Sequence, residues 1–166
     1  MPPRHVLVVT GARVLRQTPA AAAWARARLT AAIEALPRGG GAYRSVLVTG
    51  DAPGPDAWAV EIATALNIRR VVYALDGRRH ENGVAGAWWA HAHELAWRDN
   101  RRWPLLRNGV MIKECAFLAR ERGNAVIVCG VRAGWATTQG TAHTLTQARA
   151  ANLVVSDHLC PPEFAP

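Results

Sequence analysis

Short apolar runs that end at glycine and reopen at helical period constrain this chain most. Residues 46–62 (VLVTGDAPGPDAWAVEI) are the fullest case. Val46, Leu47 and Val48 lead into Thr49-Gly50, a tight Gly/Pro stretch follows, and helical spacing begins at Asp56, which reads as strand, turn and helix. Gly50 and Gly54 permit positive φ or close approach of backbone to a ligand, and the start of the new helix presents N–H groups that favour an anion. The same residues also suit a plain βα turn in which Asp56 caps the helix and the glycines serve geometry. Similar turns elsewhere in the chain weigh toward a binding role.

Residues 5–10 (HVLVVT) form a continuous apolar run, as expected for a strand buried on both faces of a parallel sheet, and it ends at Gly11-Ala12-Arg13. Thr18-Pro19 is a helix start, with Thr as N-cap and Pro at the first helical position. Ala25, Leu29, Ile33 and Leu36 fall on one face of that helix, and residues 37–41 (PRGGG) stop it. The helix from Asp56 carries Ala59, Ile62, Ala63 and Leu66 inward and ends at Asn67; residues 71–75 are the third strand. Residues 107–121 read as a helix, residues 125–129 as a fourth strand running into Gly130 and Gly134, and a helix with Leu145, Ala148 and Ala151 on its apolar side ends at Asn152. Residues 153–156 close the pattern, with a tail from about 159 to 166 surface-lying or disordered. This alternation predicts an α/β protein, a Rossmann-like three-layer fold with a mainly parallel sheet and right-handed crossovers, in one domain spanning 1–166.

Half of the residues are hydrophobic, yet no apolar run approaches the roughly 18 needed to span a bilayer. With no signal-peptide layout at its start, the chain is expected to be cytoplasmic, with no membrane partner. Cys115, Cys129 and Cys160 are widely spaced and lack CxxC pairing, which predicts reduced structural thiols. The net charge of +8 is carried almost wholly by arginine, Lys113 being the only lysine. Such basicity permits an anionic partner without identifying one, since dispersed charge usually marks a solvated face. Residues 76–102 depart from the strand–helix alternation: a loop precedes a helix near 87–98 that is rich in Trp88, Trp89 and Trp97. His91 and His93 are two apart, whereas the helical metal motif uses i and i+4, so neither a metal nor a cofactor is expected.

Four segments taken together resemble the SLOG superfamily, in its small single-domain branch related to YspA and YpsA. They are Gly11-Ala12-Arg13; Gly50-Asp51-Ala52-Pro53-Gly54-Pro55-Asp56; Arg107-Asn108-Gly109-Val110-Met111; and Gly140-Thr141. The resemblance covers most of residues 5–155 and is poorest over 76–103. It implies a nucleotide or nucleotide-derived ligand and a homo-oligomer, for which the aromatic helix near 88–97 is a candidate face.

An open parallel sheet independently gathers the loops at the carboxyl ends of its strands at one crevice. Backbone around Gly140-Thr141 would then hold phosphate, with the Thr141 hydroxyl as a donor; Gly11 and Arg13 would flank the phosphate or sugar; and Asp56 would cap its helix or accept from ribose hydroxyls. Gly50, Asp51, Gly54, Arg107, Asn108, Gly130 and Gly134 complete the candidate ligand-binding set. The similar Lonely Guy phosphoribohydrolases pair an arginine with Pro-Gly-Gly-x-Gly-Thr-x-x-Glu. Arg107 and Gly140-Thr141 match, but Thr144 stands at the Glu position, so a catalytic role for Arg107 would need Asp56 or Asp51 as the carboxylate. Binding as a sensor or sequestering module leads; nucleotide N-glycosidase activity is the alternative. Single-stranded DNA binding is the third reading, from Arg78, Arg79, Arg98, Arg101 and Arg102 near Trp88, Trp89, Trp97 and Trp103.

Overall fold

A computed structural model of the chain describes residues 4–38, 44–85, 103–135 and 140–166. Strand β1 (His5–Gly11) is followed by a 3-10 turn (Arg13–Arg16) and helix α1 (Pro19–Glu34). Strand β2 (Ser45–Gly50), helix α2 (Pro55–Ala65), strand β3 (Arg69–Tyr73) and a short strand β4 (Arg79–Glu81) come next. Helix α3 (Trp103–Arg122), strand β5 (Ala125–Ala133), helix α4 (Gly140–Ala150) and strand β6 (Val154–Cys160) follow, with a 3-10 turn at Pro162–Phe164.

The six strands form one sheet in the order β4-β3-β2-β1-β5-β6, parallel except for the β3–β4 pair. This is the α/β, Rossmann-like arrangement that the alternation predicts. Alternating β1 residues serve the two faces, as a period of two requires. Leu7 and Val9 pack with Ala25, Leu29 and Ile33 of α1 and with Trp58, Ala59 and Ala63 of α2. Val6 and Val8 pack with Met111 and Cys115 of α3 and with Leu145 and Ala148 of α4. The sheet is thereby covered on both sides, which is why β1 and β2 read as unbroken apolar runs.

Local chemistry sets the element ends. Thr18 accepts a hydrogen bond from the Ala21 amide at 3.2 Å, and Pro19 occupies the first helical position. Asn67 and Asn152 end α2 and α4 in the left-handed region, with φ of 53° and 58°. Asparagine tolerates that region better than most residues with a side chain.

Four expectations are corrected. Helix α3 begins at Trp103, four residues before the expected 107, because Pro104 suits a helix's first turn. Strand β5 continues past 129 to Ala133, and Gly130 lies within it. There a Cβ would fall 2.6 Å from Leu145 Cδ1, so the glycine admits α4 onto the sheet. Strand β6 extends through Cys160; beyond it the Thr18 hydroxyl donates to the Phe164 carbonyl at 2.7 Å, and Phe164 packs against the core. Within the expected loop after residue 75, β4 pairs antiparallel to β3. The helix expected near 87–98, with Trp88, Trp89, Trp97, His91 and His93, lies outside the described residues, as do Arg98, Arg101 and Arg102.

Candidate functional site

Strands β2, β3 and β4 lie on one side of β1 and β5 on the other, so the switch point of the sheet falls at β1. A cavity of about 90 Å³ opens there, at the carboxyl ends of β1 and β2. Thr10, Gly11 and Arg13 line it from the first strand and its turn; Gly50, Ala52 and Asp56 from the second; Pro104, Arg107, Asn108 and Met111 from α3; and Gly140 and Thr141 from the start of α4.

Arg107 is the main charged feature of the wall. It is only 4% exposed, on the inner face of α3. Its Nε donates to Asn108 Oδ1 at 2.7 Å and its Nη1 to the Tyr73 carbonyl at 3.1 Å, which fixes the guanidinium plane. Burial lowers its pKa, while the nearby carboxylates of Asp56 and Asp51 raise it. An arginine remains charged through such a shift.

Asp56 faces this cation from the first turn of α2 and is itself 5% exposed. Burial raises its pKa to about 6, against the opposing pull of Arg107 and of the Ala52 amide, which donates to Oδ2 at 3.2 Å. The neighbouring Thr49 hydroxyl gives its hydrogen to the Val9 carbonyl at 2.9 Å. Its hydrogen-bonding contact with Asp56 also pulls the carboxyl's pKa down. Buried Asp51, 2% exposed, adds a like charge that raises the Asp56 pKa further.

Gly50 keeps these groups together. A Cβ at this position would lie 2.5 Å from Arg107 Cζ, 2.6 Å from Nη1 and 2.8 Å from Asp56 Oδ2. Glycine is thus required by the approach of the guanidinium and carboxyl to the end of β2. At Gly11 a Cβ would meet Pro55 Cβ at 2.2 Å, so that glycine lets the start of α2 fold over the end of β1.

Eight of the twelve candidate ligand residues line the cavity: Gly11, Arg13, Gly50, Asp56, Arg107, Asn108, Gly140 and Thr141. Asp51 is buried beside it. Gly54 is the N-cap of α2 with φ of 91°, Gly130 packs beneath Leu145, and Gly134 is exposed after β5; none of the four is in the wall. Asn108 reaches the site chiefly by holding Arg107. The sequence reading missed Pro104 and the Tyr73 carbonyl. Pro104, Arg107, Asn108 and Met111 fall at i, i+3, i+4 and i+7, one helical face, a signal legible once α3 is started at 103. Thr144 is fully buried and donates to the Gly140 carbonyl at 2.9 Å.

Among the described residues no group of three or more His, Cys, Asp or Glu is placed to hold a metal ion, and no helix is long and apolar enough to cross a membrane. No family model, curated protein or solved structure matches the chain.

Proposed function

We propose that this domain binds a nucleotide or nucleotide-derived ligand, as a sensing or sequestering module of the SLOG kind. The observation that carries the reading is the buried Arg107 guanidinium, held in plane by Asn108 and Tyr73 on the wall of a pocket at the sheet's switch point. A buried cation at the carboxyl ends of parallel strands, beside the start of a helix, is chemistry that favours a phosphate. The cavity is smaller than the roughly 300–1,000 Å³ of pockets that enclose a drug-sized ligand, so it suits a phosphate or sugar-phosphate portion. In this reading Thr141 donates to phosphate oxygens, and Asp56, beside Arg107, takes the sugar hydroxyls.

Equilibrium dialysis against mixed nucleoside monophosphates, dinucleotides and ADP-ribose, followed by mass spectrometry, tests the proposal. One compound should be depleted without new products. Arg107→Ala should weaken its binding by about tenfold or more, the scale of one lost charge-assisted bond. Arg107→Lys, which keeps charge but loses the planar fork, should fall between. A panel that nothing depletes would sink the reading.

Asp56 favours one second reading, nucleotide N-glycosidase activity. Its carboxyl, with a pKa of about 6, is available in both protonation states near neutral pH, as general acid–base work requires. It would replace the carboxylate absent at Thr144. Free base and sugar phosphate in the same dialysis, abolished by Asp56→Asn, would establish turnover; their absence would leave binding alone.

A further inference from the structure

Arg107 and Asp56 are buried charged side chains in the wall of one small cavity. They converge over Gly50: the point where a Cβ would stand there is 2.6 Å from Arg107 Nη1 and 2.8 Å from Asp56 Oδ2. The other groups acting on this carboxyl come from β2 and the turn after it. Asp51, also buried, is a second acid, while the Thr49 hydroxyl and the Ala52 amide are neutral hydrogen-bond partners. Arg13 lines the same cavity from the turn after β1.

Two buried carboxyls thus act on one buried guanidinium before any ligand enters. A phosphate placed against Arg107 adds another anion beside Asp56, in a space of about 90 Å³. Like charges so close, away from bulk water, raise the pKa of the group that can take a proton. Arg107 cannot answer the added charge, because a guanidinium stays protonated throughout. The Asp56 carboxyl can, and burial has already moved it in that direction. One proton between a carboxyl and a phosphate oxygen replaces repulsion with a short, charge-assisted hydrogen bond.

We infer that the ligand's phosphate enters this cavity together with one proton, taken up at Asp56, so that nucleotide affinity is coupled to pH. This rests on the phosphate reading of the Arg107 pocket. In the free protein at pH 8, Arg107 faces a carboxylate. In the complex it faces phosphate, and the neutral Asp56 donates its O–H to a phosphate oxygen while its carbonyl oxygen accepts from a sugar hydroxyl.

Isothermal titration of the whole chain at pH 8 with ADP-ribose and the 5′-monophosphates of adenosine, guanosine, cytidine and uridine, in Tris and in HEPES, tests the inference. At that pH the free carboxyl and the free phosphates are ionised. The difference in heat between the buffers should correspond to about one proton taken up per nucleotide bound, and affinity should fall about tenfold per unit from pH 7.5 to 9. Asp56→Asn, which cannot ionise, should show almost no uptake and a flat affinity over that range. Carbon-13 NMR of aspartate-labelled wild type reads the same event without a variant: one aspartate carboxyl should become protonated on binding at pH 8. Binding without proton uptake, uptake that survives Asp56→Asn, or aspartates that all stay ionised would overturn the inference, while Arg107-dependent binding left the pocket reading intact. Absence of binding by every nucleotide, at pH 6.5 as at pH 8, would overturn both.

Discussion

Asp56 shows how a buried carboxyl can work against the fold that holds it. Its pKa rises from 3.8 in the unfolded chain to about 6 in the fold, first because of burial. Between these values the native state binds more protons than the unfolded state, so stability falls as pH rises. The favourable contribution is complete below about pH 4 and lost as pH passes about 6, a change on the order of 3 kcal/mol. Urea unfolding at pH 4.5 and pH 7 should show this decline in the wild type and a flatter profile in Asp56→Asn. Equal slopes in the two proteins would mean that Asp56 is not the titrating group. The sequence placed Asp56 correctly at the opening of α2 but could not supply its burial, because its covering by Arg107 comes from a helix some fifty residues further on. Gly50 is similar: its role as a turn glycine was readable, but not the guanidinium directly over it.

At the scale of elements, the sequence was most legible where one residue type satisfies a local need. Thr18 and Pro19 start α1, and Asn67 and Asn152 stop α2 and α4 through positive φ. It was least legible where partners are distant. The length of β5 and β6 depends on their mutual pairing, from Ile127 with Val154 to Ala133 with Cys160, and Gly130 read as a turn only because its packing partner Leu145 lies on a later helix. The Arg132–Asp157 pair, at 2.8 Å, adds a link across these strands. Thr18 combines both kinds of information: it caps α1 and its hydroxyl donates to the Phe164 carbonyl, tying the carboxyl-terminal tail to the first helix. Thr18→Ala should therefore cost about 1–2 kcal/mol by urea denaturation, more than an isolated weak cap, while Thr18→Ser, which keeps both bonds, should cost less than about 0.5 kcal/mol. A loss in Thr18→Ser matching that in Thr18→Ala would shift the cause from these bonds to the methyl group.

Over the whole molecule, the +8 charge and the buried pocket predict two different responses to salt. Many described arginines face carboxylates: Arg26 with Glu61 at 3.0 Å, Arg69 with Glu81 at 2.7 Å, Arg78 with Asp76 at 3.0 Å, and Arg132 and Arg149 with Asp157. Arg78 and Arg79, two members of the cluster suggested for single-stranded DNA, are among those facing acids. Positive charge interspersed in this way among the described residues attracts a polyanion through its counterion atmosphere. Arg107, in contrast, is buried, where salt screens a charge much less. Fluorescence anisotropy with a labelled single-stranded oligonucleotide should show association at low salt that disappears by about 150 mM, whereas nucleotide affinity should change by less than about threefold over the same range. Oligonucleotide binding that persists at the higher salt and is displaced by the preferred nucleotide would instead put a nucleic-acid end in the Arg107 pocket. The phosphate would then be one feature of a longer ligand.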